Sequence, residues 1–201
     1  SVMLDYKRTN DVIVNTGEAV PGSEETTIIT RANVDHADAF RAMVSLSPQF
    51  GIYQPRLTMG LLKDWVKIPS PAGFISPKRP IFLVQWNNNF QILPTLTAQA
   101  NLAFTSCGDK ENVNINKATW QLYLSVSKTF LNDRLSVQVA GHNLLGAYED
   151  LNINYGLRSM RSINKTDSRQ LEVTVRYKFN ATQSKYKGVG AGQEERSRLG
   201  N

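Results

Sequence analysis

The sequence predicts an all-β chain that forms part of a transmembrane antiparallel β-barrel, on three observations. Apolar residues recur at every second position along most of the chain, its connections alternate between tight turns and long polar loops, and no apolar run approaches the roughly 20 residues of a membrane-spanning helix. Period-two alternation gives a strand one apolar and one polar face. A barrel wall needs both faces, because one meets lipid and the other a wet lumen.

The segments expected as strands are 1–15, 25–47, 51–67, 80–93, 95–106, 116–130, 134–146 and 168–179, about eight in all. Tight turns are expected at Ser47 to Gly51, Leu93 to Thr95 and Leu131 to Arg134, where Asn132 and Asp133 supply turn chemistry. Between them fall longer loops at Thr16 to Glu25, Ile68 to Pro80, Ser106 to Asn116 and Ala147 to Ser168. Short turns on one rim and long loops on the other match the periplasmic and extracellular ends of an outer-membrane barrel. An even strand number puts both chain ends on the short-turn side, so the C-terminus is expected in the periplasm.

The last strand shows the pattern most clearly. Leu171, Val173, Val175, Tyr177 and Phe179 make an apolar face expected to meet lipid, and Gln170, Glu172, Thr174, Arg176 and Lys178 a polar face expected to line the lumen. Tyr53, Trp65, Phe82, Phe90, Phe130, Tyr177 and Phe179 fall near strand ends, where interfacial aromatic girdles belong. A mean hydropathy of −0.33 is compatible with this, since a wet lumen requires polar residues at alternate positions.

A formal charge of +6 with 20% charged residues is spread along the chain, whereas nucleic-acid binders cluster basic residues, so no nucleic-acid partner is expected. Cys107 stands alone, which excludes an intramolecular disulfide framework. His36 and His142 are far apart and are expected to lack acidic or Cys partners at ligand spacing, so no metal site is expected. Gly188 to Gly192 (GVGAG) lacks the Lys-Ser/Thr close of a phosphate-binding loop, and no serine sits in a nucleophile elbow. No catalytic residues and no cofactor are expected. Arg158, Arg161 and Lys165 lie in the longest outer loop, where they are candidate contacts for an anionic ligand or lipopolysaccharide beside the plainer expectation of a solvated loop.

The chain resembles the carboxy-terminal portion of TonB-dependent outer-membrane receptors of the Bacteroidetes type. The residues that carry the likeness are HNLL at His142 to Leu145, the Ser168-Arg169 entry to the last strand, VRYKFN at Val175 to Asn180 and KYKGVGAGQEERSRL at Lys185 to Leu199; LDYKRTNDVIV at Leu4 to Val14 is similar more loosely. The resemblance implies a barrel of about 22 strands around a plug, of which 1–179 would supply the last eight or so and 180–201 a periplasmic tail. It also implies partners: the remaining strands and plug, TonB acting through the plug, the lipid bilayer, and in some systems a surface lipoprotein. The start at Ser1, without Met or a signal segment, suggests a mature product or an excised piece. Two alternatives stay open: a self-contained small outer-membrane barrel with a structural or adhesion role, and a soluble β-sandwich.

Overall fold

The computed structural model describes residues 1–22, 26–71, 73–156, 158–165 and 169–179. The expected tail, with its GVGAG segment, and Ser168 lie outside the described residues. Fourteen strands run in chain order: β1 (Val2–Ala19), β2 (Thr27–Leu46), β3 (Tyr53–Val66), β4 (Ile68–Ser70), β5 (Gly73–Ile75), β6 (Ile81–Leu93), β7 (Leu96–Thr105), β8 (Gly108–Lys110), β9 (Val113–Ile115), β10 (Thr119–Phe130), β11 (Leu135–His142), β12 (Glu149–Asn154), β13 (Ser159–Asn164) and β14 (Gln170–Tyr177). Eight of them form one antiparallel sheet in the order β1-β2-β3-β6-β7-β10-β11-β14. Each long strand pairs with its predecessor and successor, so the sheet is a simple meander. The outer edges of β1 and β14 have no strand partner among the described residues, so the sheet is open.

The expected strands correspond to these eight. Two expectations about the loops need correction. The first loop is shorter than Thr16 to Glu25, because β1 and β2 stay paired to Ala19 and Thr27. The other three long loops carry hairpins rather than irregular chain: β4 with β5, β8 with β9, and β12 with β13. The tight turns hold. At the β10–β11 turn Leu131, Asn132 and Asp133 take φ of 55°, 53° and 63°, a left-handed bend that Asn and Asp tolerate. Thr129 Oγ1 donates to Asp133 Oδ1 at 2.8 Å and fixes it.

Register sorts the side chains into two faces. On one face Val126 lies beside Ala98 and Val139, and Val139 beside Val173. Leu57, Trp86 and Leu102 continue it towards the first strands. Large apolar groups there stay open: Leu4 is 71% exposed, Trp120 49%, Val126 51% and Val173 62%. The opposite face carries Asn89, Gln99, Ser125 and Ala140 in adjacent register. A water-soluble sandwich would cover the apolar face with a second layer. Among the described residues no second layer covers it, and the buried apolar core is a small cluster of Val14, Val34, Val66 and Ile68 at the long-loop end.

The apolar face is banded. Towards the long loops Phe82, Phe104 and Trp120 form a row, with ring centroids 6.5 Å and 4.4 Å apart. Towards the tight turns lie Tyr53 and Phe90 at 4.8 Å, Phe130, and Tyr177 with Phe179 at 4.7 Å. At about 3.3 Å per residue, Phe82 to Phe90 spans about 26 Å and Trp120 to Phe130 about 33 Å along the strands. Tilting by the usual 35–45° reduces these to about 19–27 Å, the height of an outer-membrane barrel's apolar band. Lysines mark its limits, Lys63 Nζ lying 5.7 Å from the Trp65 ring centroid and Lys128 Nζ 5.1 Å from that of Phe130, so that each stem lies along apolar surface and each ammonium sits at an edge. The polar intruder inside the band is satisfied: Asn88 accepts from Tyr53 Oη at 2.6 Å and donates to the Ala100 carbonyl at 2.9 Å. Pro55, which has no N–H to donate, lies beyond Leu57, the last β3 residue paired with β2.

These faces predict unequal costs for one charge placed at neighbouring positions. Val139→Arg should lower stability in a bilayer by about 2–4 kcal/mol. Gln138→Arg, on the polar face, should cost well under half of that in the same equilibrium refolding assay. Equal costs would contradict the assignment of faces.

Candidate functional site

The long-loop rim is where polar groups converge. β8, β9, β12 and β13 form a second antiparallel sheet in the order β13-β12-β9-β8, in which Leu151 pairs with Ile115 and Ile153 with Val113. Loops that would otherwise move independently are thereby joined.

Two buried carboxylates hold that sheet. Asp109 on β8 accepts from Arg79 Nε at 3.0 Å and Nη2 at 2.8 Å, from the backbone N–H of Lys78 at 3.0 Å and of Arg79 at 2.8 Å, and from Asn114 Nδ2 at 2.9 Å. Burial pushes the Asp109 carboxyl up, but these donors outweigh it and hold the group well below the usual carboxylate range. Gly108 permits the approach, since a Cβ there would lie 2.5 Å from Ile81 Cγ1 and 2.7 Å from the Pro80 carbonyl oxygen. Asp150 on β12 accepts from Arg161 at 2.9 Å and 2.6 Å and from Asn116 Nδ2 at 3.1 Å. The Arg161 and Asn116 hydrogen bonds lower its pKa to about 2.

The bridge continues across the sheet. The turn after β12 brings Gly156, at φ 91°, against Ser70, whose Cβ would lie 2.5 Å from an added Cβ. Tyr155 packs on Gly17 of β1. The loop between β11 and β14, at one edge of the large sheet, therefore reaches the strand at the other edge, passing over the polar face.

Under this bridge is a cavity of about 750 Å³. Its floor is the polar face, with Gln85, Asn87, Asn101, Gln121 and Tyr123, and its roof includes Ile115, Tyr148 and Leu151. Tyr123 and His142 stack at 4.9 Å, and Lys117 Nζ lies 3.5 Å from the Tyr148 ring centroid. Uncharged hydrogen-bonding groups dominate the floor, and Lys117, Glu149 and His142 are the titratable residues of the lining besides its tyrosines.

The residues singled out from the sequence are dispersed. Arg161 is bound to Asp150, Lys165 lies over Tyr148 at 5.4 Å, and the Arg158 carbonyl accepts from the Tyr155 N–H at 2.8 Å. Gln170 lines the cavity. Each histidine has an acidic neighbour, His36 lying 2.8 Å from Asp35 and 3.7 Å from Asp38 and His142 3.2 Å from Glu172. Among the described residues no group of three or more His, Cys, Asp and Glu is arranged to hold a metal ion. Asp109 and Asp150 were not distinguishable in sequence from other loop acids, because Arg79 and Arg161 reach them across hairpins that leave no periodic trace.

Carboxyls held low contribute stability that is complete above the ordinary carboxylate range and is lost as pH falls through their folded values. Pepsin should therefore leave 106–118 and 147–165 intact at pH 4 and cut them as pH approaches 2. Asp109→Asn or Asp150→Asn should speed trypsin cleavage there at pH 7 by about tenfold. Opening already complete at pH 4 would contradict the pairing.

Comparison with known proteins agrees with the fold. No curated protein and no solved structure matches the chain, whereas the model of the outer membrane protein beta-barrel family matches residues 1–177. A match over nearly the whole chain, on a sheet with one bare apolar face, one polar face and unequal rims, places the chain in the outer membrane protein beta-barrel family and therefore at the outer membrane.

Proposed function

We propose that this chain is the C-terminal wall of a TonB-dependent outer-membrane receptor of the Bacteroidetes type, contributing barrel strands and outer loops to energised ligand uptake. The observation that carries this is a lipid-compatible sheet whose two edges have no strand partner among the described residues, over the 18 residues of β1 and the 8 of β14. Within a bilayer each unsatisfied backbone group costs several kcal/mol, so further strands must pair with these edges or the edges must pair with each other.

The polar face favours further strands. An eight-stranded barrel closes on an interior that side chains fill or that holds one small ligand, whereas barrels of about 22 strands hold a plug. Here the polar face carries depressions of about 750 Å³ below the long loops and about 470 Å³ nearer the tight turns. On this reading Leu171, Val173, Val175, Tyr177 and Phe179 face lipid, and Gln170, Glu172, Thr174, Arg176 and Lys178 face the lumen. The short turns and residues 180–201 lie in the periplasm, and Arg158, Arg161 and Lys165 in the outer loop are candidate ligand contacts. The partners are the remaining strands and the plug, TonB acting through that plug, and in some systems a surface lipoprotein. None of the residues described acts in the energy-coupling step or as a catalyst.

The intact mass of the folded species extracted in mild detergent tests this. A species far above 22.5 kDa that contains this sequence with a plug is expected. A lone 22.5 kDa protein with heat-modifiable mobility would overturn the proposal and leave a self-contained small barrel.

A further inference from the structure

Charge is distributed unevenly over the polar face. Its first strands carry Asp5, Lys7, Arg41 and Arg56, and its last carries Glu172 and Arg176. Between them, the polar-face positions of β6, β7, β10 and β11 hold no Lys, Arg, Asp or Glu.

Cross-strand register arranges the uncharged groups in rows. Asn87 pairs with Asn101 in the row that continues to Tyr123. One step towards the tight turns, Asn89 pairs with Gln99 and Gln99 with Ser125; one step further, Gln91 pairs with Thr97, Thr97 with Ser127 and Ser127 with Gln138. The cavity of about 750 Å³ beneath the loops and the depression of about 470 Å³ nearer the tight turns share Asn87 and Asn101. Hydrogen-bonding groups thus continue from the roofed cavity down the wall without a charged step.

We infer that this panel binds a neutral carbohydrate, held first under the loops between the floor, with its carboxamides and Tyr123, and the Tyr148 ring of the roof. A carboxamide donates through its NH₂ and accepts through its oxygen, so one side chain meets either role of a sugar hydroxyl. Sites of this volume ordinarily combine apolar or aromatic walls with a few polar groups that fix orientation. The cavity lining includes one cation and one anion, Lys117 and Glu149, both outside the four strands, so an ionic solute moving down the wall would lose water without gaining a counter-charge there. Repeated rows of one chemistry also offer equivalent stations to a repeating ligand, which lets it shift along the wall by exchanging like hydrogen bonds. This inference rests on the wall reading above and adds the solute class.

The test uses the intact assembly extracted from the outer membrane, probed with neutral gluco-, xylo- and manno-oligosaccharides, with oligogalacturonate and with short peptides. At least one neutral series should bind in preference to oligogalacturonate and the peptides. Gln85→Glu and Asn101→Asp, which change size little but add charge at pH 7, should weaken that binding at least about tenfold with heat-modifiable mobility retained. If either variant fails to fold, Ser127→Cys in a Cys107→Ser background decides. An aqueous maleimide should label the introduced thiol, and the neutral oligosaccharide should slow the labelling. Absence of neutral binding, preference for oligogalacturonate or peptide, or a thiol shielded equally with and without sugar would overturn the inference, the last because protein would then cover the panel. Binding to purified protein needs no proton-motive force. Uptake that persists after that force is removed would sink the energised-receptor reading while leaving this one standing, whereas energised uptake of other solutes without carbohydrate binding would do the reverse.

Discussion

Backbone hydrogen bonding in a medium without water is the constraint from which the rest follows. A strand in lipid must pair along both edges, and antiparallel neighbours joined by tight turns do this with the least connecting chain. The meander β1-β2-β3-β6-β7-β10-β11-β14 meets that requirement at every internal strand. Once the ladder is fixed, the pleat assigns each side chain to a face. Leu4, Trp120 and Val173, whose exposure would be a liability in water, fall together on one face of that ladder.

The same ladder leaves the rims free to differ. On one, chain reversal takes a few residues, as at Leu131 to Asp133. On the other, three connections fold into hairpins: β4–β5 packs Ile68 and Ile75 into the small apolar cluster, whereas β8–β9 and β12–β13 are held by buried charge. Asp109 ties β8 to the segment before β6, and Asp150 ties β12 to β13 and to Asn116. Such pairs are weak grounds for expecting high stability, but removing one partner strands the other, so they specify one loop arrangement over its alternatives. A roof over the polar face results, and with it a cavity of about 750 Å³.

The wall was legible in the sequence because its signal is redundant. In DSRQLEVTVRYKFN every second residue from Leu171 is apolar, and a one-residue slip would exchange the faces entirely. The loops were not legible, for a physical reason. Segments such as GDKENVNIN and EDLNINYG carry Asn and Asp, which favour turns, and strands of three to six residues give too few positions for alternation to register. Their pairing depends on partners distant in the chain: Leu151 with Ile115, and Tyr155 against Gly17. The uncharged panel lies between these extremes. Its carboxamides are plain in WNNNFQ, but only register places Asn87 and Asn89 opposite Asn101 and Gln99 and turns Asn88 to the other face.

The measurement that tests the two-faced wall most directly is nitroxide scanning of Thr119 to Phe130 in a Cys107→Ser background, reconstituted in a bilayer and read for collisions with oxygen and with a water-soluble nickel chelate. Oxygen contact should peak at Leu122, Leu124 and Val126 and chelate contact at Gln121, Tyr123 and Ser125, the two profiles alternating out of phase with a period of two. In-phase profiles, or chelate contact throughout, would contradict the account.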